Sequence, residues 1–388
     1  MRDNDVTPRP NTNARGIASV SLNTAETQIV VTAAFFRLSS NQTSAHIHGP
    51  ATQGATGPVV FDLGTVGGTT GTLTGTFNIT AAQVQQLRAG LFYIDVHSAN
   101  FPNGEIRGQF RLGHRRNDFD EDGRSDISVF RPADGNWYML QSLTGSLNNG
   151  QLGIPGDIQA SGDYDGDGAT DLAVFRPSNG TWQVRATTTG AVTNSQWGQN
   201  GDVPVMGDYD GDGRADLAVF RPSTGAWYVL RSSDNSFIGL QWGTNGDKPV
   251  VGDFDGDGRA DFAVFRPSTG AWYILRSSDG TFVGEAWGVA EDRPIAGDFD
   301  GDGVNDIAVW RPSTGYWYVH RSTDNSLMAR QFGISTDIPV ASEFDGDGKT
   351  DIAVFRSSEG MWYIQHSSDD SFHAEHFGSG GDDPCGHH

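Results

Sequence analysis

A nine-residue acidic segment recurs six times in this chain, each copy starting 45 residues after the one before, with no insertion. It opens at Asp118 (DFDEDGRSD), Asp163 (DYDGDGATD), Asp208 (DYDGDGRAD), Asp253 (DFDGDGRAD), Asp298 (DFDGDGVND) and Glu343 (EFDGDGKTD). A fixed period of this length means one supersecondary unit copied and stacked, because a single unit cannot bury its own apolar face. The rest of each repeat keeps one order: a strand such as DLAVFRP, a Ser-Thr-Gly type of turn, then a strand such as AWYVLRS. A second turn (SSDNS, SSDGT) follows, then a strand ending in Trp-Gly or Phe-Gly, a GD-x-P turn and a short strand like PVVGDF. The runs are strand-length, bounded by Gly, Pro, Asn and Asp, and show no sustained helical period.

Four short strands in about 45 residues make one propeller blade, whereas a linear β-solenoid usually has shorter coils. Six segments predict six blades in an all-β chain. Closure of the ring is the open question. The last repeat runs through HFGSGGDDP and stops at Cys385-Gly-His-His, short of the strand that would precede a seventh segment. The expected substitute is His114–Phe119, or else a strand from a neighbouring molecule. An open edge is a template for pairing, so the second route, through that edge or through Arg2–Arg15, leads to a homo-oligomer or filament.

Residues 14–113 differ in kind. ARGIASVSL, QIVVTAAFFRL, GPVVFDLG, GTLTGTFNI, LFYIDVHS and GEIRGQFRL alternate between Gly-, Ser- and Thr-rich turns and predict a β-sandwich. One helix is expected over TAAQVQQLRAG, capped by Thr80 and ended by Gly90. The division expected is an extended segment 1–13, the sandwich 14–113, and the propeller 114–388, entered through His114-Arg115-Arg116-Asn117.

In D-x-D-x-D-G-x-x-D the acids occupy positions 1, 3, 5 and 9. Calcium takes six to eight oxygens, and alternating acids round a tight turn supply them, with Gly at position 6 permitting the reversal. The candidate calcium ligands are Asp118, Asp120, Asp122 and Asp126; Asp163, Asp165, Asp167 and Asp171; and Asp208, Asp210, Asp212 and Asp216. The later loops contribute Asp253, Asp255, Asp257 and Asp261; Asp298, Asp300, Asp302 and Asp306; and Glu343, Asp345, Asp347 and Asp351. About six ions are expected. Magnesium fits less well, since it keeps more water and a stricter octahedron. An EF-hand is excluded, because its position 12 needs Glu and here falls in a strand, as at Val219. Asp-Gly clusters also make plain turns, but six copies in register, with no ion, would be a costly crowding of like charge. Glu343 at position 1 and Glu121 in place of Gly mark two sites expected to bind differently.

These loops and the strand after them resemble the FG-GAP/VCBS repeats of integrin α-subunit propellers and of many secreted bacterial proteins, over residues 118–384. The resemblance implies a propeller with calcium in its loops and a role in extracellular binding or adhesion. The Phe-Gly-Gly-Ala-Pro element is absent; the strand here reads VFRPSTG. In the first half, His46-Ile-His48-Gly-Pro-Ala and Tyr93-Ile-Asp-Val-His97, followed by Asn103-Gly-Glu-Ile-Arg-Gly-Gln, resemble the CHRD domain first described in chordin.

His46 and His48 project to one face of a strand. With His97 on a neighbouring strand, three imidazoles make a candidate zinc or copper site, similar in its His-x-His to Cu/Zn superoxide dismutase, though the full ligand set of that enzyme is not apparent. The default reading is a hydrogen-bonded structural role. Arg131, Arg176, Arg221, Arg266, Arg311 and Arg356 recur once per blade. They form either a ligand-binding ring or, as expected, pairs with a loop Asp or a neighbouring blade. The Trp set from Trp137 to Trp362 is expected to pack blades rather than stack on sugars.

Residues 1–113 hold seven basic and six acidic residues, the remainder nineteen against 42. So acidic a propeller would repel nucleic acid. No apolar run reaches membrane-spanning length, and MRDNDVTPRP has no signal-peptide core. A single Cys, Cys385, excludes an internal disulfide, so ions would be the staples of a chain outside the cell. The expected function is a secreted or cell-surface structural and interaction protein with a protein or glycan ligand. A lectin with sugars between blades is the second reading. An enzyme is the third, kept open only by the His cluster, since no nucleophile elbow, P-loop or H-E-x-x-H is present.

Overall fold

The alternating stretches of the first hundred residues pair as two sheets. The computed structural model describes residues 12, 14–22, 27–51, 55–88, 91–110, 116–120 and 122–386, and separates the chain into units 1–113 and 114–388. The expectations for residues 1–11 and 13, Gly90, His114, Arg115 and Glu121 lie outside the described residues. In the first unit the strands are β1 (Arg15–Leu22), β2 (Gln28–Phe36), β3 (Gln42–His48), β4 (Val59–Asp62), β5 (Gly71–Asn78), β6 (Tyr93–Ser98) and β7 (Ile106–Gln109). Their sheets have the orders β1-β2-β5 and β4-β3-β6-β7. In β2, Ile29, Val31, Ala33 and Phe35 are buried and their neighbours face out. They share one core with Ala45 and Ile47 of β3 and Ile94 and Val96 of β6, which makes the unit a sandwich. Helix α1 (Ala81–Arg88) adds Val84 and Leu87. Thr80 and Gln83 bond each other reciprocally at its start, a capping box.

The second unit is six antiparallel four-stranded sheets, the six blades. In the second blade, Ile158–Gln159, Leu172–Arg176, Thr181–Arg185 and Val192–Gln196 run from the innermost strand outwards. In the second to sixth blades each Asp loop joins the first strand to the second; in the first blade it leads into the second strand, Ile127–Arg131. Six apolar clusters form, each drawing side chains from two consecutive blades; Phe220 and Trp227, for example, pack with Val251 and Val264. Stacking of blades is therefore what buries the core. Among the described residues no helix is long and apolar enough to cross a membrane.

Ring closure corrects the expectation from sequence. The innermost strand of the first blade is Asp383–Pro384, paired antiparallel with Ile127–Arg131 in the register Asp383↔Phe130 and Pro384↔Val129. The stretch 116–119 forms no strand. The chain closes its own ring, and the open edge that motivated pairing between molecules is not there. A two-residue strand suffices because the second and third blades also begin with two, Ile158–Gln159 and Val203–Pro204. Pro384 fits at an edge, where no N–H is needed.

The six Arg residues form pairs, not with the Asp loops but with the turns that lead from one blade into the next. Each bonds the Asp of the GD-x-P turn: Arg176–Asp157, Arg221–Asp202, Arg266–Asp247, Arg311–Asp292, Arg356–Asp337 and, across the closure, Arg131–Asp382. The Trp residues at 137, 182, 227, 272, 317 and 362 are fully buried, as blade packing requires.

Candidate metal sites

In the second loop, Gly166 N and Gly168 N donate to the two oxygens of Asp163 at 2.6 and 2.8 Å. Gly168 takes φ +99° and its equivalents +84° to +90°, the left-handed turn for which position 6 is Gly. Asp165 accepts from Asp167 N and Asp167 from Ala169 N, so the backbone winds round the acids. Carboxylate oxygens of Asp118, Asp120 and Asp122, of Asp163, Asp165 and Asp171, and of Asp208, Asp210 and Asp212 lie within 4.8 Å of one another. Positions 1, 3 and 5 thus converge in the first and third loops, and positions 1, 3 and 9 in the second. The fourth and fifth loops repeat the same turn about Asp253 and Asp298.

Position 9 has a duty the sequence did not reveal. One oxygen of Asp171 accepts from Tyr164 N at 2.9 Å and the other from Thr187 N, in the turn between the last two strands, at 2.8 Å. The same two bonds recur at Asp126, Asp216, Asp261, Asp306 and Asp351. Both oxygens are committed to the backbone, so this carboxylate staples two turns whatever else it binds. Burial pushes Asp171, Asp216 and Asp261 up to about 7 and Asp126 and Asp306 up to about 6, against the pull of those bonds.

The loops are also joined to one another. The N–H at position 8 donates to the carbonyl at position 1 of the preceding loop: Thr170 to Asp118, Ala215 to Asp163, Ala260 to Asp208, Asn305 to Asp253 and Thr350 to Asp298. Ser125 to Glu343 completes the circle, and all six distances are 2.6–2.7 Å. In the first, third and fourth loops an Arg at position 7 pairs with the position 5 acid: Arg124–Asp122, Arg214–Asp212 and Arg259–Asp257. The sixth loop gains His366, whose Nδ1 lies 3.7 Å from Asp345 and 3.5 Å from Asp351. Register reveals it: His366 stands where the preceding blades have Arg231, Arg276 and Arg321. One further feature bears on a cation: among the described residues, Oδ1 of Asp120 is buried with no hydrogen-bond partner, an acceptor that a cation could satisfy.

In the first unit β3 and β6 pair antiparallel with His46 opposite Asp95 and His48 opposite Tyr93. All three predicted histidines come together, on the face opposite the core. His46 Nδ1 lies 3.1 Å from His97 Nε2, and His97 Nε2 lies 3.0 Å from Asp95 Oδ1. Asp95, which sequence reading passed over, is the centre of the group and is held well below the usual carboxylate range. Burial opposes that shift, and the contacts with His48 and His97 outweigh it.

The CHRD domain family matches residues 1–110, and the FG-GAP-like repeat family matches residues 208–264 and 253–309. No curated protein sequence matches the chain. Among solved structures, an Agrocybe aegerita lectin that recognises non-reducing terminal N-acetylglucosamine is similar at 16% identity and TM-score 0.45, covering 72% of this chain and 79% of the lectin. TolB from Acinetobacter baumannii is similar at 10% identity and TM-score 0.44, covering 96% and 82%. The Dos1 propeller is similar at 11% identity and TM-score 0.38, covering 92% and 83%. The chain thus carries a CHRD domain followed by a β-propeller with FG-GAP-like repeats.

Proposed function

We propose that this is a secreted or cell-surface interaction protein whose propeller is stiffened by calcium in its six Asp loops. The observation that carries the reading is the closed circle of loop-to-loop hydrogen bonds. It sets each cluster of acids at a joint between blades, where a bound ion would brace two blades at once. Calcium would be held by the acids at positions 1, 3 and 5, and would offset their mutual repulsion. Ions that bind only the folded state stabilise it by mass action, and loops of modest affinity suit the millimolar calcium outside cells. Excess EDTA should lower the melting temperature of the full chain by more than about 10 °C, with calcium restoring it better than magnesium. A melting curve indifferent to EDTA and calcium would refute the reading.

A second reading, a glycan ligand held between blades, is favoured by one feature. Leu147, Val192, Phe237, Phe282, Leu327 and Phe372 open the outermost strands at 45-residue spacing and are 49–70% exposed. Phe237 lies 6.3 Å from Trp197 of the preceding blade, and Phe282 lies 5.6 Å from Trp242. Exposed aromatic faces suit sugar rings. A glycan array probed with the calcium-loaded protein, alongside Phe237→Ser, separates this reading from a protein ligand.

A further inference from the structure

His48 and His97 each commit one ring nitrogen to a backbone carbonyl. His48 Nδ1 lies 2.9 Å from Gly57 O, and His97 Nδ1 lies 2.8 Å from Pro102 O. A carbonyl only accepts, so each Nδ1 carries the proton, and in a neutral ring each Nε2 is then a bare lone pair. Both lone pairs face the same carboxylate, His97 Nε2 at 3.0 Å from Asp95 Oδ1 and His48 Nε2 at 3.1 Å from Asp95 Oδ2. His46 Nδ1 enters from the side, 3.1 Å from His97 Nε2 and 3.7 Å from Asp95 Oδ1. Lone pairs turned on a carboxylate repel unless positive charge lies among them.

Two protons would supply that charge only by setting two imidazolium rings side by side. The geometry is also poor for one of them, since the buried His48 Nε2 has no hydrogen-bond partner among the described residues despite its closeness to Asp95. A proton needs a line of approach; a metal ion needs only that the lone pairs converge, and these do, within 4.8 Å. We propose that His46, His48, Asp95 and His97 together bind one divalent transition ion of the zinc type.

Three imidazole nitrogens and one carboxylate oxygen select zinc or copper over calcium and magnesium, which prefer oxygen throughout. Four protein ligands fill the shell of a structural zinc and leave no open position, so the centre is a staple rather than a reaction site. The four side chains are only 10–23% exposed. Their support is that of a built metal site, with ring tautomers fixed by outer carbonyls. Tyr93 stacks on His48 with centroids 4.7 Å apart, and its hydroxyl accepts from Gly57 N, whose own carbonyl holds His48. The Arg107 guanidinium lies 3.4 Å from the Tyr93 ring centre. The ion would join β3 to β6 on the face that the apolar core does not reach.

The test uses the full chain, stripped with chelator and returned to millimolar calcium so that the Asp loops are offered their own ion. Zinc titration should give one equivalent per chain, bound more tightly than about 1 µM. His97→Gln and Asp95→Asn should each weaken it at least about 100-fold. Folded wild-type protein that takes up no stoichiometric zinc overturns the proposal, and so does uptake unchanged in both variants. If a variant fails to fold, X-ray absorption of zinc-loaded wild type decides: imidazoles in the shell support the site, and an all-oxygen shell refutes it.

Discussion

Asp247 accepts two bonds from Arg266, both at 2.8 Å, and one from Thr244 N at 2.9 Å, with its side chain 1% exposed. Removing the guanidinium strands a buried charge, which costs more than the pair itself contributes. Arg266→Ala is therefore expected to destabilise the propeller by about 3–5 kcal/mol in urea unfolding, with Arg266→Lys in between because a bidentate fork becomes a point charge. A loss below about 1 kcal/mol would show the pair to be incidental. Sequence period alone announced these Arg residues, yet not their partners. Acids of the loop and of the GD-x-P turn are both near in the chain, and only strand pairing decides which one the side chain reaches. Asp95 was hidden for a related reason. In YIDVHS it reads as one more outward residue of a half-buried strand, and only the register His46↔Asp95 makes it central.

At the scale of the element, the turn of the Asp loop was legible because its acids, its Gly and its spacing all lie within nine residues, while the backbone bonds that occupy position 9 were not. The bond from each loop to the next was not, since it uses backbone groups that any sequence has. The raised carboxyls at position 9 give the loops a testable response to acid. A carboxyl whose pKa is higher folded than unfolded favours the folded state below the unfolded value, near 3.8, and that contribution is lost as pH rises through about 6–7. In EDTA the melting temperature should therefore rise as pH falls from 8 to 5. In saturating calcium that rise should shrink, because a cation on the neighbouring acids at positions 1, 3 and 5 favours the ionised form of position 9. Thermal melts at several pH values, with and without calcium, read the two slopes. Equal slopes in both conditions would mean that the loops hold no ion.

For the whole molecule, six blades followed from six copies, whereas the closing strand was too short for any pattern to mark. Its far side is guarded by Cys385, buried among Phe119, Phe130 and Trp137, with its N–H bonded to Ser128 O at 3.0 Å. Burial pushes its thiol up to about 12, so a thiol reagent should not label the native protein. Arg131→Ala, at the closure, should speed labelling of Cys385 more than Arg266→Ala does; equal rates would mean that opening is global. The reason the two positions differ lies in connectivity. Five of the Arg–Asp pairs span 19 residues of chain, while Arg131 and Asp382 are 251 apart. By loop entropy alone the long link costs about 2 kcal/mol more to form. The propeller behaves as a bracelet with one clasp: it wears at the clasp first, and during synthesis it stays unfastened until Asp383 has been made.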